Sequence, residues 1–75
     1  MTNFAKLRGL MVERGMEVSR LAGILGISRQ AMSDKINGRS KISLLDAQKI
    51  SEALNMTKDE RDAIFFSELV KSEAT

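Results

Sequence analysis

Ser28, Arg29, Gln30, Ser33 and Asp34 put hydroxyls, a guanidinium, a primary amide and a carboxylate within two helical turns. Arg offers five donors in a planar fork, the amide a donor beside an acceptor, the carboxylate acceptors only, and the hydroxyl either role. Such a set suits recognition rather than bond breaking. A guanidinium can pair bidentately with guanine and an amide with adenine; a Ser hydroxyl can bond bases or phosphates. Asp34 fits two uses: it can accept from a cytosine amine, or it can tether Arg29 or Lys35 and repel misplaced phosphates. Asn37, Arg39 and Lys41 follow closely and suit backbone phosphates, and Ser19 joins them from the preceding segment. The chain has no His and no Cys. The commonest general base, thiol nucleophiles and disulfides are thereby missing. No phosphate-cradling glycine loop or metal-ligand cluster appears, so neither catalysis nor a cofactor is expected.

Two short helices must position these groups. Leu21, Ala22 and Leu25 lie on one side of a first helix, about Val18 to Leu25. Ala22 sits where a second helix crosses closely. Gly26 can take the left-handed conformation that ends a helix without a Cβ penalty. Ile27 plugs the angle between the helices. Ser28 reads as the N-cap of a second helix, about Arg29 to Ile36, with Ile27 and Met32 able to form a hydrophobic staple over it. If Met32 and Ile36 point inward, then Arg29, Gln30, Ser33, Asp34 and Asn37 lie toward the opposite side, with Ser28 at the tip. Asn37-Gly38 closes this second helix. The pair is a helix-turn-helix at about 18–37, a shape that fits the DNA major groove.

At Leu21, Ala22, Leu25-Gly26-Ile27-Ser28, Met32, Asn37-Gly38 and Leu44 through Leu54, the sequence resembles the Cro and phage-repressor helix-turn-helix family, also called XRE. The resemblance covers about Phe4 to Leu54, and more loosely the last helix. It implies an all-α, compact five-helix, lambda-repressor-like DNA-binding domain, usually a dimer on a two-fold operator, acting in transcriptional control. Two places depart from the family. Its members often carry Ser or Thr and then Gln at the start of the first helix of the pair, where this chain has Glu17 and Val18. Position 35 is often apolar and is Lys35 here, which predicts a slightly rotated or extended second helix.

The remaining chain agrees with one small helical domain over residues 1–75. Pro is absent, and β-branched residues never alternate usefully. Another helix is expected from about Asn3 to Arg14, with Phe4, Leu7, Leu10 and Met11 on one face and Gly15 ending it. Ser43 with Asp46, and Thr57 with Glu60, read as capping boxes opening two more. Ala47, Ile50 and Leu54 form the inner face of the fourth helix, and Met11, Met16, Met32 and Met56 are gap fillers. Residues 1–45 hold eight Lys and Arg against three acidic groups, whereas residues 46–75 hold four against seven. The basic half suits a polyanion and the acidic half would face away from it. No apolar run approaches the roughly 18 residues of a membrane span, and the N-terminus lacks the apolar core of a signal peptide. The cytoplasm is the default expectation, and with one domain's length the family resemblance points to a compact Cro-type repressor rather than a two-domain one.

The last helix, about 58–72, carries Ile64, Phe65, Phe66, Leu69 and Val70, more apolar surface than one buried stripe needs. Phe65, Phe66, Leu69 and Val70 are therefore the candidate homodimer interface, although both Phe could instead wedge into one core. Two further readings remain at this level: the DNA-binding antitoxin of a toxin–antitoxin pair, with the last helix or tail holding a toxin, and a helix-turn-helix used only for protein contact. No membrane or small-molecule partner is expected.

Overall fold

The structure, a computed structural model, describes residues 2–65. Every helix opens at a polar residue, and all but one of these residues cap it with their side chain. Asn3 caps α1 (Phe4–Glu13), its Oδ1 accepting from the Lys6 amide at 3.1 Å. Helix α2 (Val18–Leu25) starts after Glu17, whose side chain makes no cap bond. Ser28 caps α3 (Arg29–Ile36) by accepting from the Ala31 amide at 3.1 Å. Ser43 and Asp46 form a reciprocal capping box at the head of α4 (Leu44–Ala53). Helix α5 begins at 58 and is described through 65. Thr57 opens it by the same device: its amide donates to Glu60 Oε1 at 2.9 Å, and its hydroxyl accepts from the Glu60 amide at 3.1 Å. The described residues contain no strand.

The first four helices stop in one way. Gly15, Gly26, Gly38 and Asn55 take positive φ of 66, 73, 79 and 51°. In each case the next amide reaches back five residues: Met16 to the Met11 carbonyl at 2.8 Å, Ile27 to Ala22 at 3.0 Å, Arg39 to Asp34 at 2.8 Å and Met56 to Ser51 at 2.9 Å. This is the Schellman closure, which satisfies carbonyls that a helix end leaves bare. An apolar contact from the residue past the stop usually accompanies it. Met16, Ile27 and Met56 supply it by packing against the core. At the end of α3 that position holds Arg39, which forms an ion pair with Asp34 instead.

Helix α2 packs on both α3 and α4, and α1 on α3. Ala22 is 3% exposed on the buried side of α2. Leu7, Leu21, Met32, Ile50 and Leu54 fill the centre, while Phe4, Met16 and Met56 pack around them half-buried. No extension of α3 accompanies Lys35: the helix ends at Ile36, with Met32 and Ile36 both buried.

One candidate moves. Phe65 is 0% exposed and Ile64 1%, so Phe65 fills the core of its own chain and cannot belong to an exposed dimer face. Phe66, Leu69 and Val70 lie outside the described residues. The start of α5 is fixed by Arg14 at the end of α1. Its Nη1 donates to the carbonyls of Leu54 and Asn55 at 2.7 and 3.1 Å, and its Nη2 to both oxygens of Glu60 at 2.8 and 2.6 Å. The Asn3 amide adds a bond to the Ile64 carbonyl at 2.9 Å.

Candidate nucleic-acid interface

With Met32 and Ile36 buried, a helical period of about 3.6 residues puts Gln30, Asp34 and Asn37 opposite them. Ser33 flanks that line. Gln30, Ser33, Asp34 and Asn37 thus share the side of α3 that faces away from the core. Their internal contacts sort them further.

Asp34 is the centre of a small network. Its Oδ1 accepts from Gln30 Nε2 at 3.0 Å and from Arg39 Nε at 2.9 Å. The tether expected to Arg29 or Lys35 therefore runs to Arg39 and Gln30. The reason is the stop at Gly38, which turns the chain back so that Arg39 lies over the last turn of α3. The Arg39 and Gln30 bonds, in that order, hold the Asp34 carboxyl below its usual range, so it is ionised at neutral pH.

Arg29 and Ser19 come together across the two helices: Arg29 Nε donates to Ser19 Oγ at 3.1 Å. One nitrogen anchors the side chain to α2, and the two terminal nitrogens stay available for a planar double acceptor. Lys35 leaves the candidate face. Its Nζ reaches Asp46 Oδ2 and the Lys41 carbonyl, both at 2.9 Å, joining α3 to the head of α4. Burial pushes the Asp46 carboxyl up, but Lys35 and the Ser43 amide together draw it below its ordinary value. Asn37 Nδ2 donates to the Ser33 carbonyl at 2.8 Å and to Ser33 Oγ at 3.4 Å, so its amide nitrogen is held by α3 and its Oδ1 is the group left to accept. Lys41 is exposed.

Arg8 was not singled out by sequence, and it supports the site. Its Nη1 donates to the Ile36 carbonyl at 3.1 Å, closing the C-terminal end of α3 from α1. A lone Arg one turn past Phe4 gives no signal of that reach. Among the described residues, Arg14, Lys35 and Arg39 of the basic half have carboxylate partners. Lys6, Arg8, Arg20, Arg29 and Lys41 have none, so this half keeps uncompensated positive charge. No group of three or more potential metal ligands occurs among the described residues, and no described helix is long and apolar enough to cross a membrane.

The sequence profile of the Cro/C1-type HTH DNA-binding domain matches residues 6–60. A protein of Pyrococcus horikoshii, named as a candidate HTH-type transcriptional regulatory protein, is 40% identical over 50 residues. That stretch is 67% of this chain and 16% of the relative, so the chain spans less than a fifth of the relative's length. No solved structure gives a significant match. The matched span runs from the first turn of α1 through α4 to the Thr57–Glu60 cap, and so contains the whole helix pair with its turn and its outward polar side. The chain belongs to the Cro/C1-type helix-turn-helix DNA-binding domain family.

Proposed function

We propose that this chain is a sequence-specific double-stranded DNA-binding transcriptional regulator, a small Cro-like repressor of phage or prophage kind that works in the cytoplasm. The observation that carries this reading is the division of α3: Met32 and Ile36 are buried, and Gln30, Asp34, Ser33 and Asn37 line the other side. In this reading Arg29 and Gln30 take base edges in the major groove, with Ser28, Ser33 and Asp34 beside them. Ser19, Asn37, Arg39 and Lys41 contact phosphates and set the register. The relative's name points the same way. A repressor of this form acts by occupying an operator that polymerase or a rival regulator needs.

Two copies bind one palindromic operator. A single α3 reaches few bases, so affinity and discrimination grow when two half-sites are read together. Phe66, Leu69 and Val70 are the remaining candidates for the contact between copies.

Selection of bound duplexes from a random pool at fixed salt tests the reading. The expected result is a two-fold motif with half-sites about one helical turn, roughly 34 Å, apart, and an affinity that falls steeply with salt. In that assay Arg29→Ala or Gln30→Ala loses about 1–3 kcal/mol on the best site and relaxes one base position. Absence of salt-dependent duplex binding overturns the proposal and favours a domain that contacts only protein.

A further inference from the structure

We infer that Asp34 is a specificity-determining residue whose Oδ2 selects, on the strand it faces in the major groove, a base carrying an exocyclic amine, cytosine (N4) or adenine (N6), over guanine or thymine. The inference rests on the DNA-binding reading above and gives it a chemical preference.

The two oxygens of Asp34 have different surroundings. Oδ1 takes both internal bonds, from Gln30 Nε2 and Arg39 Nε. Oδ2 accepts no hydrogen bond among the described residues, although Asp34 stands opposite the buried Met32 and Ile36 on the side that would enter the groove. An ionised carboxylate has no proton to give. Among major-groove edges only the cytosine and adenine amines can donate to it. Guanine O6 and N7 and thymine O4 are acceptors, and would bring two acceptors together.

The same carboxylate orients its neighbours. Because Oδ1 can only accept, the Gln30 amide must turn its nitrogen toward Asp34, which leaves Oε1 as the free acceptor one turn earlier on α3. Arg39 is held by Nε, which leaves both terminal nitrogens for a phosphate. A negative charge on this side costs affinity for any DNA. Asp34 thus trades overall affinity for discrimination.

The test compares wild type with Asp34→Asn in random-pool selection at one salt concentration. The Asn side chain keeps an oxygen for Arg39 and Gln30 but can offer N–H toward the groove. Wild type should select C or A at one position of each half-site, and Asp34→Asn should lose that preference while binding unrelated duplex more tightly. A residue that merely holds the helix end would instead weaken both kinds of binding. A second arm uses wild-type protein alone. Replacing the selected cytosine by 2-pyrimidinone, or the selected adenine by purine, removes the amine and should weaken binding on the order of tenfold. An unchanged motif for Asp34→Asn, or unchanged affinity for the amine-free duplex, overturns the assignment alone. A wild type that selects no motif overturns the DNA-binding reading, and the assignment with it.

Discussion

Asp34 and Arg39 are joined twice: the Arg39 amide donates to the Asp34 carbonyl at 2.8 Å, and Arg39 Nε donates to the Asp34 carboxylate at 2.9 Å. The backbone bond closes α3, and the side-chain bond occupies the place that an apolar contact takes at the other three stops. The end of the helix is therefore also a charged element of the candidate interface.

Arg39→Ala separates the two parts. The backbone closure survives, since any residue can supply that amide. The cation is lost, and the Asp34 carboxylate keeps only its bond from Gln30. Binding to all duplexes should weaken together, and the slope of log affinity against log salt should become shallower by about 0.9 for the one phosphate contact removed. Isotherms at four or five salt concentrations decide this. An unchanged slope means that Arg39 stays on Asp34 in the complex and touches no phosphate.

The stops at Gly26 and Gly38 should differ in their tolerance of a methyl group. At Gly26 a Cβ meets nothing within 4 Å, so Gly26→Ala costs only left-handed strain, roughly 1–2 kcal/mol. At Gly38 a Cβ lies 3.1 Å from Phe4 Cε2 and 3.3 Å from Cδ2. Gly38→Ala should be the more damaging, and most of the excess should vanish in the Phe4→Leu background. Ala22→Leu, on the buried side of α2, should cost about 1–3 kcal/mol from overpacking. Urea midpoints of wild type and these variants, with Phe4→Leu alone as the reference for its double variant, measure this; equal losses for both Gly variants would contradict the Phe4 contact.

Acid should loosen the α1–α5 clasp. The Thr57 amide, and then Arg14, hold the Glu60 carboxyl below its ordinary value. A depressed folded pKa means that the ionised form stabilises the fold above the usual Glu range, near 4.3. That contribution is lost as pH falls through the lower, folded value. Asp46 and Asp34 are shifted in the same direction. Glu60→Gln should be less stable than wild type at neutral pH, and the gap should close in acid. Unfolding midpoints at pH 7 and pH 3 test it; a gap of constant size would show that charge contributes nothing there.

The two adjacent Phe residues should fail in different ways. Phe65 is fully buried, and Phe65→Ala should cost about 3–5 kcal/mol with loss of helical signal in warm solution. Phe66→Glu or Val70→Glu should leave that signal intact and separate the proposed dimer, with loss of tight operator binding. Circular dichroism with sedimentation distinguishes the outcomes. A wild type that sediments as a monomer at tens of micromolar, free and on a palindromic site, removes the dimer and raises the antitoxin reading.

What could be read from the sequence follows from how local each feature is. The spans of α2 and α3 and the caps at Ser28, Ser43 and Thr57 depend on residues three to five apart, and all were legible. So was the inward direction of Met32 and Ile36. The partner of Asp34 was not: Arg29 and Lys35 share its helix, yet Arg39 wins because a left-handed turn, not the helix repeat, brings it back. Lys35 at an ordinarily apolar position gave no hint of Asp46, eleven residues on. The choice between Phe65 and Phe66 depends on the rotation of α5, which Arg14 and Glu60 set from 46 residues apart.

The shared way of ending helices has a kinetic meaning. Each of the four stops closes between residues five apart, so helix ends can form before any distant segment arrives. Little loop-closure entropy stands between the separate helices and their packing. Helical domains built from such local contacts fold in microseconds to milliseconds. Under the proposed pairing, the slow event after synthesis would then be meeting a second copy, and the onset of regulation would follow concentration rather than folding.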